Sequence, residues 1–354
     1  MQLKRLTSPI LKTLLTIAIL LGLLGSVAGC NSATSTTSTS QPTATKTTAT
    51  TTTSSLPTAT ATTTTAPAIT TTTSKITTTS AVTAPLVKPA NPDLILSSTT
   101  STRDSGLMDV LIPIFEAKTG YKVKPIYNGS GAAMALGQQG NADVLLVHSP
   151  AAEVTFMGGG YGIYRRLVMH NDFIIMGPPS DPAGISGMSN PVDALKKIAD
   201  TKSKFYSRGD NSGTDAMDKS LFGKAGIVVK DGSVSNPSWY IEGGAGTGML
   251  DLLRVASEKG GYILTDRSTY VANQKVLTLN IMIQGDPALL NVYHVIQVNP
   301  AKWPNVNAAG AQAFSDFMID TDTQKIISQY GIAQYGQELF FPDFGKTEAQ
   351  LGSQ

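Results

Sequence analysis

The sequence predicts an α/β fold in which the strands of a sheet are covered by helices. From about Ala90 onward, short apolar runs with the pattern of strands alternate with longer amphipathic runs. Many of the junctions between a strand-like run and the following helix carry Ser, Thr or Gly. Alternation of this kind is typical of α/β proteins. The segment from residue 90 to residue 354 is long enough for two modest lobes.

The early part of this segment predicts a series of elements, and one late strand is similar in character to one of them. The helix at 106–118 is amphipathic, and we expect Asp104 or Ser105 to cap it and Gly120 to end it. The strands at 173–176 and 292–298 are apolar, and we expect both to cross between the lobes. The remaining early elements are strands at 94–97, 121–127 and 144–147 and a helix at 132–139.

The middle and the end of the chain continue the same alternation. The clearest helix lies at 249–259, because Gly260 and Gly261 follow its last amphipathic turn. The other elements predicted here are helices at 191–200, 213–223, 308–320 and 323–330 and strands at 204–207 and 262–265.

Four strand-to-helix junctions share one chemical character, with Ser, Thr or Gly just before or at the helix start. A helix start exposes unpaired N–H groups and the positive end of the helix dipole. Small residues let an anion approach those groups closely, so four such starts predict a pocket for a small oxyanion between two lobes. The four junctions lie at 98–101, 128–131, 207–214 and 243–248.

The junction at 207–214 is the most specific of the four because it contains an arginine. Arg208 can donate two parallel hydrogen bonds to an oxyanion, and Asp210 can hold its guanidinium in place. An alternative interpretation is an Asp/Asn-rich turn that caps a helix and leaves Arg208 in solvent. Chemistry alone does not decide between the two.

The first 30 residues predict a targeting segment that is not part of the fold. Basic residues at Lys4, Arg5 and Lys12 precede an apolar run at 14–24 that is short for a membrane span. Small residues then end in Cys30, which resembles the lipidation site of bacterial lipoproteins. Cys30 is the only cysteine, so the chain can form no intramolecular disulfide.

Residues 31–89 predict a disordered linker rich in Thr, Ser, Ala and Pro. The segment has no acidic or aromatic residues and cannot bury enough surface to offset the cost of ordering its backbone. The whole chain has a formal charge of +2, but six of its 27 basic residues lie before residue 90, which leaves 21 against 25 acidic residues. This mildly acidic balance argues against nucleic-acid binding.

Four pieces of sequence together resemble the tungstate-binding proteins of bacterial ABC transporters. They are the lipobox, the TTS segment at 99–101, SRGDNSGT at 207–214 and ILTDRSTY at 263–270. The resemblance covers about residues 94–340. It implies a two-lobed type II periplasmic-binding-protein fold with the ligand cleft between the lobes. Lobe I would contain 90–177 and 290–354, and lobe II would contain 178–289.

The resemblance also implies the ligand-binding residues. The fourth loop has Gly246-Thr247-Gly248 where the family tends towards Gly-Met-Gly, so the contribution of Thr247 would come from its backbone N–H. Ser98 replaces a threonine of the family and keeps the hydroxyl. The implied set is Thr99, Thr100, Ser130, Arg208, Thr214 and Thr247.

The residues after the strand at 144–147 favour tungstate over phosphate. Tungstate is fully deprotonated at neutral pH and needs only donors, whereas hydrogen phosphate keeps a proton and benefits from an acceptor. Similar phosphate receptors place an Asp after this strand, but here His148-Ser149-Pro150 follows. The open alternatives are molybdate as ligand, a phosphate receptor, a secreted phosphoester-acting enzyme and an anchored sensor.

No residue pattern predicts catalysis or a cofactor. His148, His170 and His294 lack metal-ligand spacing, and the chain has neither a Gly-x-Ser-x-Gly elbow nor a nucleotide-binding motif. We therefore expect a monomeric, extracytoplasmic, lipid-anchored receptor that works with a permease and a separate ATPase. His148, Trp239 and Tyr240 are expected to be structural, and Asp266 and Arg267 to form an ion pair.

Overall fold

A computed structural model describes residues 88–229 and 237–351. The predicted targeting segment, the lipidation site Cys30 and nearly all of the predicted linker at 31–89 lie outside the described residues. Among the residues described, no helix is both long enough and apolar enough to cross a membrane.

Strands of the described residues form one continuous ten-stranded sheet in the order β2-β1-β3-β9-β4-β7-β5-β6, with β8 and β10 also paired to β4. The bounds are β1 (Asp93–Thr99), β2 (Lys122–Asn128), β3 (Val144–Val147), β4 (Gly162–Gly177), β5 (Phe205–Ser207), β6 (Tyr240–Glu242), β7 (Tyr262–Asp266), β8 (Asn280–Ile283), β9 (Leu290–Val298) and β10 (Phe341–Pro342).

Helices alternate with these strands along most of the described chain. Their bounds are α1 (Thr100–Asp104), α2 (Leu107–Thr119), α3 (Ser130–Gln138), α4 (Pro150–Gly158), α5 (Pro191–Asp200), α6 (Gly213–Lys224), α7 (Met249–Lys259), α8 (Arg267–Asn273), α9 (Ala308–Ile319), α10 (Thr321–Gln329), α11 (Ile332–Tyr335) and α12 (Glu348–Leu351).

The long strand β4 divides the sheet into two halves. Its first part pairs with β9 as far as Asp172, and its last part, from Phe173, pairs with β7. We call the half containing β1, β2, β3, β9 and β10 lobe I, and the half containing β5, β6, β7 and β8 lobe II. The predicted crossing at 173–176 is therefore correct. The crossing predicted at 292–298 is wrong, because β9 pairs only with β3 and β4.

Each lobe has its own apolar core. In lobe I, helices α2 and α9 pack on the sheet, and Phe115 meets Phe314 edge to face at 5.2 Å between ring centroids. In lobe II, Phe205 of β5 meets Phe222 of α6 in the same way at 5.0 Å. Such aromatic pairs contribute about 0.5–1.5 kcal/mol beyond the area they bury.

Local chemistry explains several element ends and corrects one prediction. The Asn190 side chain accepts hydrogen bonds from Val192 N and Asp193 N, which caps α5 as an N-cap asparagine should. The predicted capping of α2 by Asp104 or Ser105 is wrong: Gly106 is the N-cap, at φ 80°, and no side chain caps that helix. The reason is a short unpredicted helix, α1, which takes up Asp104.

Candidate oxyanion-binding site

All four Ser/Thr/Gly junctions are strand-to-helix junctions in the structure. In lobe I, β1 leads into α1 and β2 leads into α3; in lobe II, β5 leads into α6 and the chain after β6 leads into α7. Each pair of strands is parallel, with Thr99 opposite Asn128 and Ser207 opposite Glu242. The carboxyl ends of the strands therefore lie side by side in each lobe, where ligands of open α/β sheets bind.

A small cavity lies between the residues of these junctions. Its volume is about 140 Å³, below the range of roughly 300–1,000 Å³ typical of drug-sized ligands, so it suits a small ligand. Residues of both lobes line it: Thr100, Arg103, Tyr127, Asn128, Gly129, Ala132, Arg208, Asp210, Ala245, Gly246, Thr247, Gly248 and Asp251.

Arg208 is buried on the wall of this cavity with part of its guanidinium unpaired. Its side chain is 3% exposed, and Nη2 donates to Asp210 Oδ2 at 2.6 Å. Nη1 makes only a long contact of 3.4 Å to Thr100 Oγ1, and Nε has no hydrogen-bond partner. The prediction that Asp210 holds the guanidinium is confirmed, and the solvent-exposed alternative is wrong. Leaving a buried N–H without a hydrogen bond costs free energy. We therefore expect a bound ligand to supply the acceptor for this donor.

Asp215 shapes the loop that carries Arg208. Its carboxylate accepts hydrogen bonds from Gly209 N at 3.1 Å and Asn211 N at 2.9 Å, and it pairs with Lys219 at 3.0 Å. Ser212 caps the same helix by accepting from Asp215 N at 3.2 Å. Our sequence analysis missed Asp215, although the Ser-x-x-Asp spacing of a capping box begins at Ser212.

Thr100 presents its hydroxyl to the cavity as a donor. Its Oγ1 accepts from Arg208 Nη1 at 3.4 Å and from Met249 N at 3.3 Å. A hydroxyl has two acceptor positions and one proton. With both acceptor positions in use, the proton is the group that Thr100 can still offer to a ligand.

The structure brings three of the six implied ligand residues to the cavity wall: Thr100, Arg208 and Thr247. The other three are buried and do not line it. Thr99 Oγ1 lies 3.0 Å from Ser101 Oγ, and Ser130 Oγ accepts from His148 N at 3.3 Å. Thr214 is 2% exposed in the first turn of α6.

Thr247 differs from the expectation that its N–H points inward. Its N–H donates to Gly244 O at 3.3 Å, and its hydroxyl donates to Gly243 O at 2.9 Å. Both donors are therefore used within the loop at 243–248.

The charged groups on the cavity wall are mixed. Two arginines, Arg103 and Arg208, and two acids, Asp210 and Asp251, line it. Both oxygens of Asp210 already accept hydrogen bonds, from Arg208 and from Ser212 N. The unpaired N–H of Arg208 is thus a buried charged donor without a hydrogen-bond partner on this wall.

Trp239, Tyr240 and His148 have structural roles, as expected. Trp239 and Tyr240 are buried in the lobe II core. His148 is buried between Asn291 Oδ1 at 2.8 Å from Nδ1 and Ser101 Oγ at 3.3 Å from Nε2, and burial lowers its pKa. The histidine thus stays neutral in the fold and brings no positive charge to the site.

The predicted ion pair between Asp266 and Arg267 is wrong. Arg267 instead binds Asp172 through Nε at 2.7 Å and Nη2 at 2.6 Å. Asp266 caps α8 by accepting from Thr269 N at 2.9 Å, because it is the last residue of a strand and directly precedes that helix. Within the described ranges, no group of His, Cys, Asp and Glu side chains is arranged to hold a metal ion.

Comparison with known proteins identifies the family. A family model described as a PBP superfamily domain matches residues 36–322. The chain belongs to the PBP superfamily. The superfamily is that of the periplasmic-binding proteins, so the two-lobed α/β fold implied by the resemblance is confirmed.

Several similar proteins are described in terms of tungstate, and a 44% identical relative from Haloferax volcanii is described as a putative ABC transporter anion-binding protein, covering 73% of this chain and 75% of the relative. The chain is 43% identical over 259 residues to the tungstate-binding protein TupA of Peptoclostridium acidaminophilum, covering 73% of this chain and 88% of the relative. Among solved structures, it resembles the tungstate ABC transporter structure from Geobacter sulfurreducens, with 41% identity, a TM-score of 0.59, and coverage of 67% of this chain and 98% of that one. The tungstate-binding protein TupA from Desulfovibrio alaskensis G20 is 42% identical, with a TM-score of 0.57 and coverage of 72% and 99%.

Proposed function

We propose that this protein is an extracytoplasmic receptor that captures tungstate for an ABC importer. The observation that carries the proposal is the buried Arg208 guanidinium, whose Nε has no partner on the wall of a small cavity. The relatives described as tungstate-binding proteins, at 42–43% identity, support the same ligand. Because those relatives are binding proteins, we interpret this chain as a receptor and not as an enzyme.

The chemistry of the cavity suits a fully deprotonated tetrahedral dianion. Such an ion has only acceptors, and two residues of the cavity wall can donate to it: Arg208, whose Nε has no partner, and Thr100, through its hydroxyl proton. Each hydrogen bond to a charged group contributes about 1.5–3 kcal/mol, and each helix dipole adds about 0.3–1 kcal/mol. The proposed ligand residues are Thr99, Thr100, Ser130, Arg208, Thr214 and Thr247. Thr99, Ser130 and Thr214 would act after a small adjustment of the helix starts that contain them, and Thr247 would act after its N–H leaves Gly244 O.

Phosphate fits this site less well than tungstate. Hydrogen phosphate keeps a proton and needs a carboxylate with a free acceptor position. Similar phosphate receptors place an Asp after the strand at 144–147, whereas this chain has His148 there. Molybdate has the same charge and shape as tungstate, so we include it as a second ligand.

The partners and the location follow from the same interpretation. We propose that Cys30 carries a lipid anchor, that residues 31–89 form a linker, and that the folded part binds a permease served by a separate ATPase. Lobe I would contain residues 90–177 and 290–354, and lobe II residues 178–289. The protein would act as a monomer, without a cofactor.

Calorimetric titration of the full chain with four oxyanions tests the proposal. We expect tungstate to bind tightly and molybdate to bind with equal or lower affinity than tungstate. Sulfate and phosphate should bind at least 100-fold more weakly than tungstate. Tight binding of phosphate without binding of tungstate would contradict it. The anchored-sensor alternative predicts the same titration, so association of the loaded receptor with a permease, measured in membranes, separates transport from sensing.

A further inference from the structure

The start of α7 is occupied by side chains of the opposite lobe. Met249 N donates to Thr100 Oγ1 at 3.3 Å, and Leu250 N donates to Asp104 Oδ2 at 3.2 Å. Both acceptors belong to α1 of lobe I. These N–H groups lie in the first turn, where a helix provides no partners of its own. The protein itself therefore supplies acceptors at this helix start.

The carboxylate of Asp104 is buried beside the start of α7 and therefore needs hydrogen-bond donors there. Its side chain is 4% exposed, and burial is the main reason that its pKa is raised above the usual value. One carboxylate oxygen accepts from Arg103 Nε at 2.8 Å, which leaves the other to face α7. A buried carboxylate requires such partners, and the positive end of the 11-residue helix α7 is one of them.

A second contact joins Asp104 to lobe II. Asn273 Nδ2, at the end of α8, donates to the main-chain oxygen of Asp104 at 3.2 Å. The side chain and the main chain of one residue thus bind two different helices across the cleft. Opening the cleft would break both contacts and leave Leu250 N without its partner.

We propose that Asp104 is a positioning residue that caps α7 across the cleft and holds the two lobes closed around the oxyanion. This inference rests on the proposed function and deepens it. The oxyanion would then be held by Arg208 and the starts of α1, α3 and α6, while the first turn of α7 binds Asp104.

Affinity depends on this contact because the apparent affinity of a ligand that binds only the closed form is proportional to the fraction of protein that is closed. Removing the cap lowers that fraction without removing a group that touches the ligand. We therefore expect Asp104→Asn to raise the tungstate dissociation constant about tenfold and Asp104→Ala to raise it further. Asp104→Asn keeps the shape of the side chain, so it remains informative if Asp104→Ala fails to fold.

The experiment uses the full chain and two measurements. Calorimetry gives the tungstate dissociation constant, and amide hydrogen exchange of a peptide spanning residues 248–253 reports on the start of α7. Asp109→Asn is the matched control, because Asp109 is an exposed acid in the first turn of α2, on the same lobe. In saturating tungstate, we expect faster exchange at 248–253 in both Asp104 variants and wild-type exchange in Asp109→Asn.

Two results would overturn the proposal: an unchanged dissociation constant in both Asp104 variants, or wild-type protection of 248–253 in tungstate-saturated Asp104→Ala. If the wild-type protein does not bind tungstate, the proposed function fails, and the cap is tested by exchange without ligand. Faster exchange at 248–253 in Asp104→Ala than in wild type would then support the cap, and equal rates would refute it.

Discussion

The two loops of lobe II at 207–214 and 243–248 both place small residues before a helix, but they have different partners. The loop before α6 is shaped by Asp215 and Ser212 of its own lobe, accepts one backbone hydrogen bond from Gly131 of lobe I, and leaves Arg208 Nε unpaired. The helix after 243–248 is bound instead by Thr100 and Asp104 of lobe I. A helix start rich in Gly, Ser and Thr thus predicts a polar partner, but the rest of the fold decides whether that partner is a ligand or another lobe.

The largest loss of tungstate affinity should come from changing Arg208, which the 207–214 loop has and the 243–248 loop lacks. Arg208→Lys keeps a positive charge but loses the fork that can bind Asp210 and an oxyanion together. We expect tungstate affinity to fall at least 100-fold, equivalent to about 3 kcal/mol, when measured by calorimetry. Arg254→Lys, an exposed change on α7, is the control and should bind as wild type. Wild-type affinity in Arg208→Lys would remove the guanidinium from the site.

The next effect concerns the backbone contact between the 207–214 loop and lobe I. Gly131 N donates to Asn211 O at 3.2 Å, and a Cβ added at Gly131 would lie only 2.5 Å from that oxygen. Gly131→Ala should therefore keep the lobes apart and weaken tungstate binding by about 10- to 50-fold, through a smaller closed fraction.

Gly223→Ala is the control for this change, because a Cβ there meets nothing within 4 Å. Calorimetry on both variants checks the expectation. Equal tungstate affinities in the two variants would show that the close contact between Gly131 and Asn211 does not affect binding.

A smaller effect is expected from Asp215, which holds the first loop but does not line the cavity. Asp215→Asn keeps one acceptor oxygen and loses the charge that binds Gly209 N and Asn211 N. We expect a fall in affinity of about tenfold, since a hydrogen bond to a charged group contributes about 1.5–3 kcal/mol. Lys219→Met removes the ion pairs of Lys219 with Asp215 and Glu242 but keeps both loop contacts of Asp215, and it should change affinity less than twofold. Similar losses in both variants would indicate a general effect of charge instead of loop geometry.

The smallest effect is on thermal stability and concerns Asp218, which lies on the buried side of α6. Burial, with nearby Asp215, raises the pKa of Asp218 well above its usual value, and Tyr240 donates to it at 2.9 Å. The folded protein thus keeps a proton that the unfolded chain releases above about pH 4, so this group makes the free energy of unfolding fall as pH rises.

Asp218→Asn removes that dependence. We expect the fall in melting temperature between pH 5 and pH 8 to be smaller in the variant than in wild type, with unchanged tungstate affinity at pH 7. An equal fall in both proteins would show that Asp218 does not stay protonated in the fold.

Much of the fold could be predicted from local pattern. Helices α5 and α7 match the sequence prediction residue for residue, because both have clear amphipathic spacing and strong end signals such as Asn190-Pro191 and Gly260. Helix α1 was missed because its five residues are too few to show periodicity. Its existence moved Asp104 from a predicted cap of α2 to a cap of α7.

The site was predictable where the chemistry is local and unpredictable where it depends on long-range contact. Arg208 and Asp210 are two residues apart, so their ion pair followed from the sequence. The pairing of Arg267 with Asp172 joins residues 95 positions apart, and no local pattern signals it. The same limit applies to the contact between Asp104 and Leu250, which are 146 positions apart.

The central claim is that the unpaired donor of Arg208 binds the oxyanion, and a crystal structure with tungstate tests it most directly. Anomalous scattering from tungsten locates the ion without ambiguity. We predict a tungstate oxygen about 2.7–3.2 Å from Arg208 Nε, inside the cavity lined by Thr100. A tungsten position outside that cavity, or an Arg208 Nε that stays unpaired in the complex, would contradict the account.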